Sequence, residues 1–181
     1  GCMSQNKNNY AAGFDTPLGR MILLAEDATT ETNKNSSLYL VGLGFAGTKM
    51  NDEAVIADLS RQLGYQDVLP NPEKLKSLAR QIISQPDKVP MLLRGTDFQK
   101  TVWRRLMETP AGSTTTYGKI ADYLQSAPRA VGAAVGKNPI SLLVPCHRVI
   151  GSTGHLHGYR WGLDVKKCLL AAEGAPVSVA L

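Results

Sequence analysis

The chain has 181 residues, and its content of 43% hydrophobic and 19% charged residues is typical of a globular protein with one domain or two small ones. Three cysteines without a Cys-x-x-Cys pair exclude a secreted disulfide scaffold and predict a reducing intracellular location, cytoplasmic or, in a eukaryote, nuclear. No apolar run approaches the ~18 residues of a membrane span, and the net charge of +5 favours nucleic acid before a membrane surface, although solvated lysines would give the same charge.

The first half of the chain begins with strand-like segments. Residues 1–10 are polar and asparagine-rich, which is typical of a frayed terminus. Residues 16–19 have the composition of a turn. Two apolar runs, at 21–25 and 38–45, have the length of strands. The polar residues 26–37 between them predict a hairpin loop that is longer than usual.

Two helices follow these strands. Asn51 or Asp52 can cap the first, which Gly64 would end, and the apolar spacing predicts the second over Pro72–Ser84. Residues 86–90 then have the composition of a linker. We therefore expect a small α/β domain at residues 1–90 and a second domain, holding the chemistry, at residues 91–181.

The second half predicts short helices separated by glycine. Thr96 or Asp97 would cap the first, with an inward face made of Phe98, Val102, Trp103 and Leu106. Further helices are predicted at 118–124, 128–136 and 163–173. The tight turn between the first two of these makes them a helix-turn-helix candidate, and Cys168 is expected to be buried in the closing helix.

The tetrapeptide Pro145-Cys146-His147-Arg148 is the strongest chemical signal in the chain. It follows the apolar run 140–144, which predicts a buried strand that ends at the thiol. Imidazole and guanidinium groups beside a cysteine favour the thiolate, which is the nucleophilic form. A small buried hydrophobe is the alternative for Cys146. A structural role is the alternative for His147, because neighbours on a regular strand point to opposite faces.

The helix predicted at 128–136 has one face that carries almost nothing but Ala130, Gly132, Ala133 and Gly136. Such a face fits either tight helix–helix packing or docking on nucleic acid with Arg129 at the leading end. Because the face lacks the long polar side chains that read major-groove bases, docking would be shape-based or in the minor groove. Aromatic residues that could line a base pocket are Tyr117, Tyr159 and Trp161, whereas the helical spacing assigns Trp103 to the core.

Five segments of the second half resemble, in the same order, motifs of the O6-alkylguanine-DNA alkyltransferase family. They are Thr-Tyr-Gly at 116–118, Arg-Ala-Val-Gly at 129–132, Gly-Lys-Asn-Pro at 136–139, Val-Pro-Cys-His-Arg-Val at 144–149 and Gly-Tyr-Arg-Trp-Gly at 158–162. The match runs from Gly95 to Gly174. The first half matches mainly through Thr-Pro-Leu-Gly at 16–19.

The resemblance implies an α+β fold, with a ribonuclease-H-like α/β N-terminal domain and a helical C-terminal domain that carries a winged-helix-like helix-turn-helix. It implies a monomeric DNA repair protein, without a cofactor, that binds double-stranded DNA in the minor groove. Such a protein flips out O6-alkylguanine and transfers the alkyl group to its own cysteine. A soft thiolate suits displacement at saturated carbon, and the thioether product is not readily reversed, so each molecule acts once.

The resemblance also implies roles in the chemistry. Cys146 would attack the alkyl carbon, His147 would take the thiol proton through a water, and Glu173 would orient His147. Tyr117 would assist the departure of guanine, and Asn138 would brace the turn before the cysteine.

Further roles concern DNA and the flipped base. Arg129 would fill the gap that the base leaves in the stack. The other expected DNA contacts are Gln99, Gly118, Ala130 and Ser152. The expected pocket residues are Val149, Tyr159, Arg160 and Trp161.

Three features depart from the family pattern. The interval 117–129 is short and Pro128 directly precedes the expected finger, which bears on the first turn of the recognition helix. The zinc ligands of some members are missing, and His155 and His157 lack further ligands nearby, so no metal is expected. Bulky side chains at 160–161 replace small ones, which predicts a narrower pocket that prefers methyl groups.

Other functions remain open. An alkyltransferase-like damage sensor would bind and flip the base without transfer, but it would lack Cys146. A plain helix-turn-helix regulator would not need the Pro-Cys-His-Arg sequence. A cysteine hydrolase using Cys146 and His147 would require an oxyanion hole and catalytic turnover.

Overall fold

The computed structural model describes residues 8–28, 37–154 and 156–175, which form a mixed α+β fold. A four-stranded sheet with two helices comes first, and a group of short helices follows. One cluster of buried hydrophobic residues runs from the sheet into the later helices, while the division at residue 90 stays a prediction. Within the described ranges, no helix combines the length and the hydrophobicity that crossing a bilayer requires.

The sheet has the strand order β3-β2-β1-β4. Strands β1 (Asn8–Thr16) and β2 (Gly19–Asp27) form an antiparallel hairpin, and β3 (Leu38–Ala46) pairs antiparallel with β2. Strand β4 (Val68–Pro70) pairs parallel with β1. The predicted turn is confirmed and depends on Gly19, whose φ of +121° lies in the region that glycine tolerates. The two predicted strands are confirmed as parts of β2 and β3.

The expectation of a frayed start is wrong for residues 8–10. They open β1 and pair with Asp27, Glu26 and Ala25. The sequence gives little sign of this strand, because only Ala11 and Ala12 within it are buried. The predicted hairpin loop lies mostly at 29–36, outside the described residues, as do Cys2 and His155.

Both helices predicted in the first half are confirmed as α1 (Asp52–Leu63) and α2 (Pro72–Ser84). The Asn51 side chain accepts a hydrogen bond from the N–H of Ala54, and Gly64 ends α1 in the left-handed conformation. The predicted linker forms a single 3-10 turn over Pro86–Lys88.

The helices predicted in the second half are confirmed to within one residue. They are α3 (Asp97–Leu106), α4 (Tyr117–Leu124), α5 (Pro128–Gly136) and α6 (Leu163–Ala172). A two-residue parallel ladder joins β5 (Thr115–Thr116) to β6 (Val149–Ile150). The first turn of α5 forms with Pro128 at its start, where a missing N–H costs nothing.

Two side chains of these helices do not lie where they were expected. Phe98 was expected to face inward, but it is 39% exposed because it lies in the first turn of α3, beyond the buried Val102 and Trp103. Trp103 is confirmed as core, and its indole N–H donates to the Ala134 carbonyl at 2.8 Å. Cys168 was expected to be buried, but it lies on the exposed side of α6.

The strand predicted at 140–144 is wrong. Ile140 makes one isolated bridge to Leu43, the chain then turns with Leu142 at a φ of +75°, and a 3-10 turn follows at Cys146–Arg148. The segment is buried and apolar, but periodicity cannot distinguish a short apolar run in a strand from one in another buried conformation. The alternation that would separate His147 from the thiol therefore does not apply.

Candidate active site

Cys146 opens the 3-10 turn and is 7% exposed. It borders a cavity of about 580 Å³, a size typical of sites for small molecules. Both halves of the chain wall this cavity: Lys49, Met50 and Asp58 come from the first half, and the second half contributes α4, α5 and the loop at 158–160. The thiol therefore lies inside the protein and still faces a space that a purine could enter.

His147 is fully buried next to Cys146, and Glu173 fixes its orientation. The His147 Nε2 atom lies 2.9 Å from Glu173 Oε1, and Arg148 contacts both oxygens of the same carboxylate. Arg148 also donates to the Thr109 carbonyl at 2.6 Å. Asn138 braces the turn before the cysteine, since its amide donates to the Val144 carbonyl and accepts from the Ile140 N–H.

The charges of this pair follow from its contacts. Burial disfavours the charged form of Glu173, but the hydrogen bonds and charges of His147 and Arg148 outweigh it and lower the pKa of Glu173 to about 2. Burial lowers the pKa of His147, although Glu173 opposes that shift. At neutral pH the imidazole is therefore neutral and donates its Nε2–H to the carboxylate. Its buried Nδ1, which has no hydrogen-bond partner among the described residues, then carries the lone pair.

Two tyrosines wall the cavity near the thiol. Tyr117 opens α4, and its ring meets His157 edge-on at 6.1 Å. Tyr159 is buried, and its hydroxyl interacts with Ser141 and Cys146, although it makes no hydrogen bond of regular geometry among the described residues. Burial, and next the negative charge of Cys146, raise the pKa of both phenols. Both hydroxyls therefore stay protonated and can donate hydrogen bonds.

Lys166 is a buried charged residue near the thiol that the sequence did not predict. It is 1% exposed on α6, and its ammonium donates to the carbonyls of Val149, at 2.7 Å, and His157, at 3.4 Å. Burial lowers the pKa of Lys166 to about 8, and the charge of Cys146 opposes this shift. Its helical spacing of three and four residues from the buried Leu169 and Leu170 was the signal that could have revealed it.

The expected pocket residues separate into two groups. Tyr159 and Arg160 line the cavity. Val149 and Trp161 are fully buried and are not part of the cavity wall. Arg160 is held at the wall by a 2.8 Å bond to Asp58 of α1. A narrow cavity would therefore depend on Arg160 and not on Trp161.

The expected DNA contacts lie on several elements. Arg129 and Ala130 are exposed in the first turn of α5, Ser152 is exposed after β6, and Gly118 is half-buried in α4. Gln99 already uses its amide oxygen to accept from the Thr96 N–H, at the start of α3. Across the residues that the structure describes, no three His, Cys, Asp or Glu side chains group into a metal site.

Comparison with known proteins gives consistent matches. Residues 97–175 match the family described as "6-O-methylguanine DNA methyltransferase, DNA binding domain". The methylated-DNA–protein-cysteine methyltransferase of Methanosarcina acetivorans is 39% identical over 168 residues, which are 92% of this chain and 99% of the relative. The Mycobacterium tuberculosis protein of the same name is 52% identical over 93 residues, 49% of this chain and 56% of the relative.

Solved structures share the fold of this protein over nearly the whole chain. The crystal structure of the M. tuberculosis O6-methylguanine methyltransferase has a TM-score of 0.69 at 31% identity, covering 94% of this chain and 97% of that one. The M. tuberculosis OGT in complex with DNA has a TM-score of 0.65 at 32% identity, covering 92% and 95%.

Proposed function

The chain belongs to the methylated-DNA–protein-cysteine methyltransferase family, and we propose that Cys146 is the residue that accepts the alkyl group. As a member, the protein is a DNA-binding repair enzyme that transfers an alkyl group from DNA to its own cysteine. The observation that supports Cys146 is its position: the thiol borders a cavity of about 580 Å³ and is followed directly by a neutral histidine that an ionised carboxylate orients.

The proposed reaction begins with a proton transfer. His147 Nδ1 takes the thiol proton through a water, and Glu173 stabilises the imidazolium that forms. The Cys146 thiolate then attacks the alkyl carbon on O6, so that a sulfur–carbon bond forms as the carbon–oxygen bond breaks. Guanine leaves with the electron pair of that bond, and the Tyr117 hydroxyl assists its departure. Water and thiols do not readily reverse a thioether, so each molecule would react once.

The DNA interface is part of the same proposal. Helices α4 and α5 would form a helix-turn-helix that enters the minor groove, and the first half would be a ribonuclease-H-like domain. Flipping the O6-alkylguanine costs a few kcal/mol, and Arg129 would offset part of this by filling the gap. The further contacts proposed are Gln99, Gly118, Ala130 and Ser152, and Tyr159 and Arg160 are the proposed pocket wall.

The remaining proposals concern the domains, the oligomeric state and the cellular location. The two domains, 1–90 and 91–181, would act together, because the cavity draws its walls from both. The protein would act as a monomer. A reducing intracellular environment would keep the nucleophilic thiol free.

An intact-mass experiment tests the acceptor. We expect incubation with a duplex containing O6-methylguanine to add a single methyl group, located on the Cys146 peptide and saturating at one equivalent. Cys146→Ala should abolish transfer and leave DNA affinity largely unchanged, because the thiol is inside the cavity. The matched control, Cys168→Ser, should react normally.

Other outcomes would contradict the proposal. Tight binding with unchanged mass would indicate a damage sensor, and turnover of an ester would indicate a hydrolase. Loss of both transfer and binding in Cys146→Ala would indicate a structural cysteine.

A further inference from the structure

A serine and a tryptophan behind the cavity form a buried hydrogen-bonded pair beside the nucleophile. The Trp161 indole N–H donates to Ser141 Oγ at 2.7 Å, and the same oxygen lies 3.9 Å from Cys146 Sγ. Ser141 is 1% exposed and Trp161 is fully buried. Because bulk water does not reach either side chain, the pair is a fixed part of the surroundings of the thiol.

The donor and acceptor capacity of these groups determines where the serine proton can point. An indole N–H can only donate, whereas a hydroxyl has one proton to donate and two lone pairs to accept with. Since Trp161 occupies a lone pair of Ser141 Oγ, the serine proton is left for another acceptor. Two further groups interact with this hydroxyl, Cys146 Sγ and the Tyr159 hydroxyl. Cys146 Sγ lies within hydrogen-bond distance for sulfur. A neutral thiol can donate weakly to Ser141, and a thiolate can accept the serine proton instead.

The backbone holds Ser141 in place from both sides. Its N–H donates to the Leu43 carbonyl of β3 at 3.0 Å, and its own carbonyl accepts from Leu143. The side chain of Asn138 hydrogen-bonds the backbone of Ile140, which precedes Ser141, and of Val144, which lies three residues after it. A hydroxyl on such a fixed turn needs little reorganisation when charge develops on the sulfur, which is the condition for electrostatic stabilisation.

The sheet also holds Trp161 in place, in this case by packing. Its ring packs against Gly44 of β3, where an added Cβ would lie 2.7 Å from ring atom Cζ2. Only a residue without a side chain leaves room for the indole at this position. The first half of the chain therefore fixes the tryptophan, and the tryptophan fixes the oxygen of Ser141.

We propose that Ser141 is a catalytic residue whose hydroxyl donates to the Cys146 thiolate, and that Trp161 is a positioning residue that keeps the serine proton available. The role in repair rests on the proposed function, since it requires Cys146 to be the alkyl acceptor. When the thiol proton leaves for His147, the Ser141 hydroxyl turns its proton to the sulfur, and the bond from Trp161 is kept.

Other groups also face the sulfur and set its charge. Tyr117 of α4, Tyr159 of the loop and Lys166 of α6 interact with it electrostatically, and His147 follows it in the chain. The Tyr159 hydroxyl interacts with Ser141 as well as with Cys146, so it must be separated from the serine. Ser141→Ala is therefore also compared in a Tyr159→Phe background, and a shift in the pH dependence of thiol reactivity that persists there is due to Ser141.

The test measures the reaction of the Cys146 peptide with iodoacetamide from pH 5 to 10, in a background of Cys2→Ser and Cys168→Ser. A hydrogen bond to a charged group contributes about 1.5 kcal/mol, so Ser141→Ala should slow the reaction about tenfold at low pH and move the midpoint of the pH profile about one unit upward. Ser141→Thr keeps a hydroxyl and should restore the wild-type midpoint. Trp161→Phe leaves the serine proton free to turn elsewhere and should give an intermediate shift.

Two further variants keep the test decisive. Ser141→Ala with Trp161→Phe removes both polar partners, so no buried N–H is left unpaired, and it should resemble Ser141→Ala. Ser84→Ala removes an exposed hydroxyl of α2 and should change nothing. The proposal is overturned if the folded double variant keeps the wild-type midpoint. Because iodoacetamide needs no DNA, this result is independent of the methylated-duplex experiment, whose failure would overturn the proposed function instead.

Discussion

Lys166 places a buried positive charge near a sulfur that must become negative. The ammonium interacts electrostatically with Cys146, and its hydrogen bonds to two backbone carbonyls fix its position. Positive groups near a cysteine favour the thiolate. Burial lowers the pKa of Lys166 to about 8, so its charge is present at neutral pH and is lost as the pH rises above 8. Its contribution to reactivity should follow the same pH dependence.

Replacing Lys166 with methionine tests this contribution. We expect Lys166→Met to slow alkylation of Cys146 about fivefold at pH 7. A partly screened positive charge near the sulfur stabilises the thiolate by about 1 kcal/mol, which corresponds to this factor. The ratio of wild-type to variant rates should approach one above pH 8. The matched control is Lys167→Met, because Lys167 is the next residue on α6 and lies outside the buried face. Equal slowing by both variants, or a ratio constant with pH, would contradict the role.

The active-site residues differ in how far the sequence predicted them. The pairing of His147 with Glu173 was expected from the family resemblance, and the structure brings the two side chains together. Ser141 and Lys166 were not expected, because neither residue type marks a site on its own. Their roles follow from burial beside the thiol, which depends on the turn after Ile140 and on the rotation of α6.

At the scale of elements, the helices were more predictable than the strands. Apolar spacing located α2, and a proline suited to the first turn located α5, at the bounds that the structure shows. Strand β1 was missed because its polar residues face partly outward, and β4 has only three residues. The predicted strand before Cys146 failed because its backbone groups bond to Asn138 and to β3 instead of to a ladder.

Helix α5 carries the prediction that belongs to this scale. Arg129 is exposed in its first turn, so Arg129→Ala should not disturb the fold. If the side chain fills the gap left by a flipped base, repair of a methylated duplex should slow by about tenfold or more, given that flipping costs a few kcal/mol. Affinity for unmodified DNA should fall no more than about threefold, because one arginine supplies a small share of phosphate binding. Single-turnover rates and binding titrations at fixed salt measure both.

Arg80→Ala is the matched control for charge. Arg80 is exposed on α2, and its removal lowers the net charge equally without touching α5. It should leave the repair rate unchanged. Equal losses of rate and affinity in Arg129→Ala would show that Arg129 is only a phosphate contact.

At the scale of the whole molecule, side chains of α1 hold the cavity wall that the second half contributes. Asp58 accepts a hydrogen bond from Arg160 at 2.8 Å, and Gln62 donates to the Lys137 carbonyl at 2.6 Å. These partners are 102 and 75 residues apart in the chain. The sequence could not predict such pairs, because each depends on how α1 packs on the sheet and how the loop at 158–160 meets it.

The Asp58–Arg160 pair should set the size of alkyl group that the cavity admits. Both residues line the cavity, and the bond holds the guanidinium at its wall. We expect Asp58→Ala and Arg160→Ala each to raise the rate of inactivation by O6-benzylguanine, relative to a methylated duplex, about fivefold or more, because pocket contacts of this size discriminate by about 1–3 kcal/mol. Glu53→Ala, which removes an exposed carboxylate from the same helix, should keep the wild-type ratio. Unchanged ratios in both cavity variants would mean that the pair only supports the fold and that other residues determine which size of alkyl group the cavity admits.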